Sequence, residues 1–291
     1  MSVRHPIISV TGSSGSGTTS VRQTFEQIFR REHIKAAFVE GDAFHRYDRE
    51  SMRRHALEQE SAGNHHFSHF GHEANLMAEL EELFRSYSES GTGRSRHYVH
   101  DLVAAQQFRQ PMGTFTEWTD LPESSDVMFY EGLHGAAMGE GIDIAQYADL
   151  KIGVVPVINL EWIQKIHRDK NDRGYGVEDV THTILRRMPD YVTYICPQFT
   201  VTDVNFQRVP TVDTSNPFIA RWIPTADESM VVIRFKDPKG IDFSYLVSMI
   251  HDSFMSRANS IVIPGGKLDL AMQLILTPII MQLVERRRRL A

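Results

Sequence analysis

The sequence is short of several things, and each shortage closes a class of function. It holds one cysteine, Cys196, among 291 residues. An intrachain disulfide, a dithiol switch and a cysteine-based zinc site all need at least a second thiol. Such sparing use of cysteine fits a reducing compartment, and the expected location is cytoplasmic. Basic charge is not in excess: 31 Lys and Arg stand against 37 Asp and Glu, a net charge of −6. A protein that coats nucleic acid is not expected. No apolar run reaches the roughly 20 residues that a bilayer demands. The best candidate, Leu270 to Val284, is broken by Gln273, Thr277, Pro278 and Gln282, so no membrane partner is expected. The N-terminus lacks the pattern of a signal peptide, since Arg4 and His5 lead into a short apolar run and then a glycine loop. The chain is expected to be mature and soluble. Internal repeats and low-complexity linkers are missing too. With 41% apolar residues, one α/β domain carrying long insertions is expected over residues 1–291.

What is present is clearest in the first forty residues. Ile7 to Thr11 is a β-branched, mostly apolar run bounded by Pro6 and Gly12, as in a buried parallel strand. Val21, Phe25, Ile28 and Phe29 recur at helical spacing within Thr18 to Arg31. Ala36 to Glu40 is the next strand. Strand, loop, helix and strand in this order make a βαβ unit and imply a parallel sheet with covered faces. Further strands are expected at Val127 to Tyr130, Leu150 to Val157, Tyr191 to Ile195, Thr211 to Asp213 and Met230 to Phe235. Helices are expected at Leu76 to Phe84, at Leu160 to Asp169 capped by Asn159, at Phe243 to Met249 and at Lys267 to Glu285. Ser86 to Arg96 is expected to be an exposed loop.

Gly12-Ser13-Ser14-Gly15-Ser16-Gly17-Thr18-Thr19 lies between the first strand and the first helix. That is the context of a phosphate-binding P-loop. Glycines let the backbone N–H groups converge on phosphate oxygens, and the helix N-terminus adds its dipole. Thr19 stands where the pattern places a magnesium ligand. Thr18 stands where it places lysine, so the charge on the β- and γ-phosphates must be met from elsewhere. A dinucleotide fingerprint on Gly15, Gly17 and Ser20, with Glu40 as the ribose acid, fits less well, because its third glycine is missing.

Asp42 follows the second strand in Glu40-Gly41-Asp42-Ala43-Phe44-His45. Loops at the carboxyl ends of strands face the ligand crevice of an open α/β sheet. A carboxylate there can take the proton of an acceptor hydroxyl. His45, Arg46 and Arg49 close behind could bind a second anionic group. Lys165 to Gly174 (Lys-Ile-His-Arg-Asp-Lys-Asn-Asp-Arg-Gly) is dense in charge. Lys165 and Asp169 share a helix face, and Arg168 and Arg173 could close over phosphates. Cations here would replace the missing lysine, and Asp169 could hold magnesium or its water. His167-Arg168-Asp169 is no protein-kinase catalytic loop, since Gly174 stands where that motif wants Asn.

Together, Ile7 to Thr19, Glu40 to His45, Phe129 to Gly135, Leu150 to Arg173, Asn205 to Asp227 and Ser256 to Pro264 resemble the bacterial type of phosphoribulokinase over His5 to Leu276. The resemblance implies a P-loop kinase fold with a mixed, mostly parallel sheet flanked by helices. It implies transfer of the ATP γ-phosphoryl to O1 of ribulose 5-phosphate, a step of Calvin-cycle carbon fixation, with Mg2+. It assigns Asp42 as the base, Asp169 as a second essential acid and magnesium ligand, and Glu131 as a Walker-B-like acid. Lys165 and Arg168 become the cations on the transferring phosphoryl group. His45, Arg49, Tyr98, His100 and Arg173 become the sugar-phosphate site. It further implies activation by NADH and inhibition by AMP through Arg31, Arg234 and Arg257, and a homo-octamer. The plant type's cysteine-pair switch is closed to a chain with one cysteine.

Two other signals invite weaker readings. His65, His66, His69 and His72 could bind zinc if they shared a helix face, but Gly63, Asn64, Ser68 and Gly71 favour a polar loop. Arg286 to Arg289 suits the C-terminal end of a helix better than a nucleic-acid contact. Rival functions are a uridine-kinase-like phosphotransferase and a non-catalytic nucleotide sensor.

Overall fold

The β-branched run at the N-terminus forms β1 (Ile7–Thr11), buried along its whole length. Strands β2 (Ala36–Glu40), β3 (Val127–Gly132) and β4 (Leu150–Val155) gather around it. Beyond them lie β5 (Val204–Pro210), β6 (Ser229–Phe235), β7 (Phe254–Arg257) and β8 (Ser260–Pro264). The eight form one sheet in the order β7-β8-β6-β5-β4-β1-β3-β2. From β2 through β5 neighbours run parallel, and β6, β7 and β8 are antiparallel. These positions come from a computed structural model that describes residues 5–13, 18–171 and 176–289. Residues 14–17 of the glycine loop and 172–175, with Arg173, lie outside the described residues, as do the side chains of Thr18 and Thr19.

Strand alternation splits the core in two, as a period of two requires. Ile8, Val10, Val127 and Phe129 point to the face covered by α1 (Thr18–Arg31), α7 (Phe243–Met249) and α8 (Leu268–Arg288). Ile7, Val39, Met128 and Tyr130 point to the face covered by α3 (Met77–Ser90). On the first face, the rings of Phe25, Phe29 and Phe38 each pack 4.7–5.8 Å from that of Phe129. A fully buried phenylalanine contributes about 1.5–3 kcal/mol, so this cluster anchors α1 to the sheet. The remaining helices are α2 (Arg49–Ser61), α4 (Leu102–Phe108), α5 (Ile158–Asn171) and α6 (Val177–Asp190).

Several local expectations are corrected. Tyr191 to Ile195 is no strand; it continues α6 as a π-helical turn. Tyr191 and Ile195 are its buried residues, and their separation of four is a helical spacing. Thr211 to Asp213 lies past the end of β5, which stops at Pro210. The Ser86 to Arg96 loop starts late, because α3 runs on to Ser90 and ends at Gly91 in the left-handed conformation, φ 73°. Its serine hydroxyls are satisfied within the helix, donating to carbonyls one turn back, Ser88 to Arg85 and Ser90 to Ser86. Asn159 does not cap α5: the helix starts at Ile158, and the Asn159 amide donates to the Thr214 carbonyl.

The expectation that no segment could span a membrane is also corrected. Gly265–Arg288 is long and apolar enough by length and composition, with mean hydropathy 1.4 in its best window. Its polar breaks are too few to lower that average. Within the fold, Ala271, Met272, Ile275, Leu276, Ile280 and Val284 form a stripe buried in the core beside α1.

Candidate active site

Three loops meet at the carboxyl ends of β1, β3 and β2, and two glycines allow it. The Gly12 N–H donates to the Gly132 carbonyl at 3.1 Å, joining the phosphate loop to the end of β3. A Cβ on Gly41 would fall 2.7 Å from Gly132 Cα and 2.6 Å from the Tyr130 hydroxyl. Only bare backbone permits that approach. The turn carrying Asp42 (Gly41–Phe44) is thereby pressed against the same β3 end that holds the phosphate loop. Glu131, the penultimate residue of β3, lies here in register with Val10 of β1 and Glu40 of β2. Buried Gln198 fixes the following loop: its amide donates to the Leu133 carbonyl, and its oxygen accepts from the Ala136 N–H.

Asp42 is surrounded by histidines. Its Oδ1 lies 3.2 Å from His45 Nε2 and its Oδ2 lies 3.4 Å from His100 Nε2. Burial works against the carboxylate, but His45 above all, and His100, outweigh it and hold Asp42 well below its ordinary value. It is ionised at neutral pH. His45 is buried, stacks on His69 at 3.9 Å between ring centres, and faces Asn75 Oδ1 at 2.9 Å. Tyr98 sets its ring edge-on to both His45 and His100. The Arg49 guanidinium, at the start of α2, donates to the His100 carbonyl. His45, Arg49, Tyr98 and His100 therefore cluster on Asp42, while Arg46 turns away to the carbonyls of Glu73 and Asn75.

Helix α5 supplies the second half. Lys165 Nζ lies 2.5 Å from Asp169 Oδ2, and Arg168 Nε lies 3.3 Å from Asp169 Oδ1. Asp169 is 4% exposed, so both its oxygens face cations in a dry setting. Burial lowers the Lys165 ammonium to about 8, with Arg187 adding to the shift. Arg187, on α6, also acts electrostatically on His45 and His69. It is thus the charge that both halves of the site share.

Sequence reasoning passed over Glu161, which the structure places in the site. It lies one helical turn before Lys165, is 6% exposed, and accepts a hydrogen bond from the Ser13 hydroxyl of the phosphate loop. A spacing of four from Lys165 was the available signal. Asn75, Gln198 and Arg187 carried no motif at all. Of the three arginines assigned to effectors, Arg234 and Arg257 line one cavity of about 500 Å3 together with Asn205, Gln207 and Ser256. Arg31 stands apart, bonded to Gln273 and Thr277 of α8. His65, His66, His69 and His72 lie in the loop between α2 and α3 and share no helix.

A mixed, mostly parallel α/β sheet with a glycine loop between β1 and α1, an acid at the end of β2 and a cation-bearing helix tied to Ser13 through Glu161 defines the P-loop kinase class. The family described as "Phosphoribulokinase / Uridine kinase family" matches residues 7–215. Over 286 residues the chain is 70% identical to a phosphoribulokinase of Nitrobacter vulgaris, covering 98% of this chain and 99% of that one. It is 69% identical over 289 residues to a phosphoribulokinase of Xanthobacter flavus, covering 99% of each. The solved structure of a phosphoribulokinase from Rhodobacter spheroides superposes with a TM-score of 0.92 at 61% identity, covering 99% of this chain and all of that one. The chain belongs to the phosphoribulokinase / uridine kinase family and is a kinase, an enzyme that transfers phosphate to an alcohol.

Proposed function

We propose that the chain phosphorylates O1 of ribulose 5-phosphate with Mg-ATP, giving ribulose 1,5-bisphosphate and ADP for Calvin-cycle carbon fixation in the cytoplasm. The observation that supports this reading is the turn carrying Asp42, pressed at Gly41 against Gly132, the same β3 residue whose carbonyl accepts from the Gly12 N–H. Residues Gly12 to Thr19 cradle the nucleotide phosphates. Lys165 and Arg168 neutralise the transferring group in place of the lysine that Thr18 replaces. The acceptor oxygen bonds to the γ-phosphorus as the bond to ADP breaks, and the hydroxyl proton passes to Asp42. A loose transition state leaves that proton on the alcohol until late, so a weakly basic but fully ionised carboxylate suffices.

The donor set suits magnesium, a hard cation usually held by one or two carboxylates, phosphates and water. Among the described residues no three acidic, histidine or cysteine groups form a ready-made metal site, so Asp169, Glu131 and Thr19 would hold the ion only together with the nucleotide phosphates and water. When bound, it supplies charge neutralisation on the phosphates. His45, Arg49, Tyr98, His100 and Arg173 form the sugar-phosphate site. NADH activates and AMP inhibits through the cavity of Arg234 and Arg257, with Arg31 as a further effector arginine, in a homo-octamer.

Turnover with ribulose 5-phosphate against uridine at saturating Mg-ATP tests the acceptor; equal or greater turnover of uridine would favour the uridine-kinase-like reading. Asp42→Asn should lower kcat by about 10² to 10⁴ with unchanged ATP affinity. Retention of kcat within tenfold of the parent, in a folded variant, would remove Asp42 from the role.

A further inference from the structure

The protonation state of His45 follows from hydrogen-bond logic. Asn75, 2% exposed, places Nδ2 at 2.9 Å from the His69 carbonyl and 2.7 Å from the Gly71 carbonyl. Both amide hydrogens are committed to these two acceptors. The opposite amide orientation would set an oxygen against two carbonyl oxygens at those distances, lone pair against lone pair. His134 Nε2, 3.2 Å from that amide nitrogen, also lies 3.2 Å from the His69 carbonyl and donates there. Asn75 Oδ1 therefore faces His45 Nδ1 as an acceptor, at 2.9 Å. On its other side His45 Nε2 meets Asp42 Oδ1, and an ionised carboxylate only accepts. A neutral imidazole has one N–H and could satisfy only one of these partners.

We propose that Asn75 is a positioning residue that holds His45 as an imidazolium, so that Asp42 is paired with a fixed cation before any substrate arrives. This rests on the reading of Asp42 as base only for its kinetic consequence. The two carboxylate oxygens then have different tasks. Oδ1 is anchored by the buried imidazolium, whereas Oδ2 faces His100, whose side chain is 44% exposed and free to yield. Oδ2 is the oxygen open to an acceptor hydroxyl.

The other groups around His45 divide between the two charge states. Asp42 and the Asn75 acceptor favour the cation, while burial and Arg187 on α6 oppose it, and its pKa is raised on balance. His69, stacked on the ring, is held well below the ordinary value by burial, then by His45 and Arg187, and stays neutral. His134 likewise is lowered to about 3 by burial. Tyr98 meets the ring edge-on, and Arg96 donates to the His45 carbonyl. One charge among these stacked rings is the arrangement that avoids like-charge contact.

The test is a pH titration of 13Cε1-labelled histidines in the full, ligand-free chain. The His45 signal is the one lost in His45→Gln. In the parent it should titrate above the ordinary value of about 6.5. Asn75→Leu, which removes the acceptor, should move it down. Asn75→Asp, which keeps an acceptor and loses both amide donors, should not. In parallel, kcat/KM for ribulose 5-phosphate in Asn75→Leu should fall about tenfold further at pH 8.5 than at pH 6, as expected for loss of a hydrogen bond to a charged group, with KM for ATP unchanged. A parent signal at or below the ordinary value would overturn the proposal. So would equal damage by Leu and Asp with no movement of the signal, since that is the behaviour of a mere turn tether. If Asn75→Leu does not fold, the parent titration still decides. Expected titrations with no turnover of ribulose 5-phosphate would instead sink the substrate assignment and leave the His45 charge standing.

Discussion

Replacing Glu161 by glutamine should make the enzyme more stable at alkaline pH than at acid pH, relative to the parent. Burial pushes this carboxyl up to about 7 from its ordinary 4.5, although Ser13, Lys165 and Arg168 pull the other way. One of its oxygens, Oε2, is buried with no hydrogen-bond partner among the described residues. Between those two pH values the native state holds a proton that the unfolded chain has released. Native stability therefore falls as pH rises through that window. A rise from 4.5 to about 7 corresponds to roughly 3 kcal/mol once the pH exceeds both values. The glutamine side chain would keep an acceptor for Ser13 and never ionise. It also buries an amide where Oε2 stood, at a pH-independent cost of about 1–3 kcal/mol. The useful quantity is thus the change in the difference, about 3 kcal/mol in favour of Glu161→Gln on going from about pH 4 to about pH 8.5. Urea unfolding of both proteins across that range measures it. Parallel stability curves would show that Glu161 ionises in the native state without penalty, and the dry contact with the phosphate loop would have to be given up.

Other perturbations probe the remaining contacts. Gly41→Ala drives a methyl into Gly132 backbone and the Tyr130 hydroxyl; displacement of Asp42 should cost about 10²-fold in kcat, and an unchanged kcat would mean that the approach of the two loops is not needed. Arg49→Ala should raise KM for ribulose 5-phosphate about tenfold, the loss of one charge-assisted hydrogen bond, and KM for ATP less than about twofold. Equal rises in both would misplace Arg49. Arg257→Ala should reduce stimulation by NADH while basal turnover persists, measured as the ratio of rates with and without NADH; an unaltered ratio would take that cavity out of regulation.

The sequence made the βαβ unit legible because every signal there agreed: a β-branched run, a glycine loop, an amphipathic helix and a second strand. Thr18–Arg31 and Phe243–Met249 fall where periodicity places them. The segment between β2 and β3 was opaque for a physical reason. Its helix α2 buries one residue, Met52, and α4 buries none, so neither shows an apolar stripe, and their starts are set instead by side-chain caps, Asp48 on the Ser51 N–H and Asp101 on the Ala104 N–H. Among candidate site residues, Asp42, Lys165 and Asp169 stand in spaced motifs and could be singled out from the sequence. Asn75 could not, because its importance lies in three contacts made by its amide, to His45, His69 and Gly71, which no spacing encodes. Gly41 was visible as a residue but not as a constraint, since a glycine's close partner is known only once the strands are in register.

The absence of a lysine from the phosphate loop has a structural consequence. A lysine within the loop would move with the phosphates it serves. On the proposed reading, the cations come from α5, a different element, and their value depends on how well α5 is fixed relative to the loop. Coulomb attraction weakens quickly as water enters a widening gap. The Glu161 contact with Ser13 is a direct tie between the two, and it lies one turn before Lys165 on the same helix face. A carboxyl that stays largely protonated up to about pH 7 makes that tie without adding a full negative charge beside the phosphates. With the cation moved off the loop, a contact must hold the loop to its substitute, and Glu161, bonded to Ser13 one turn before Lys165, is placed to do so.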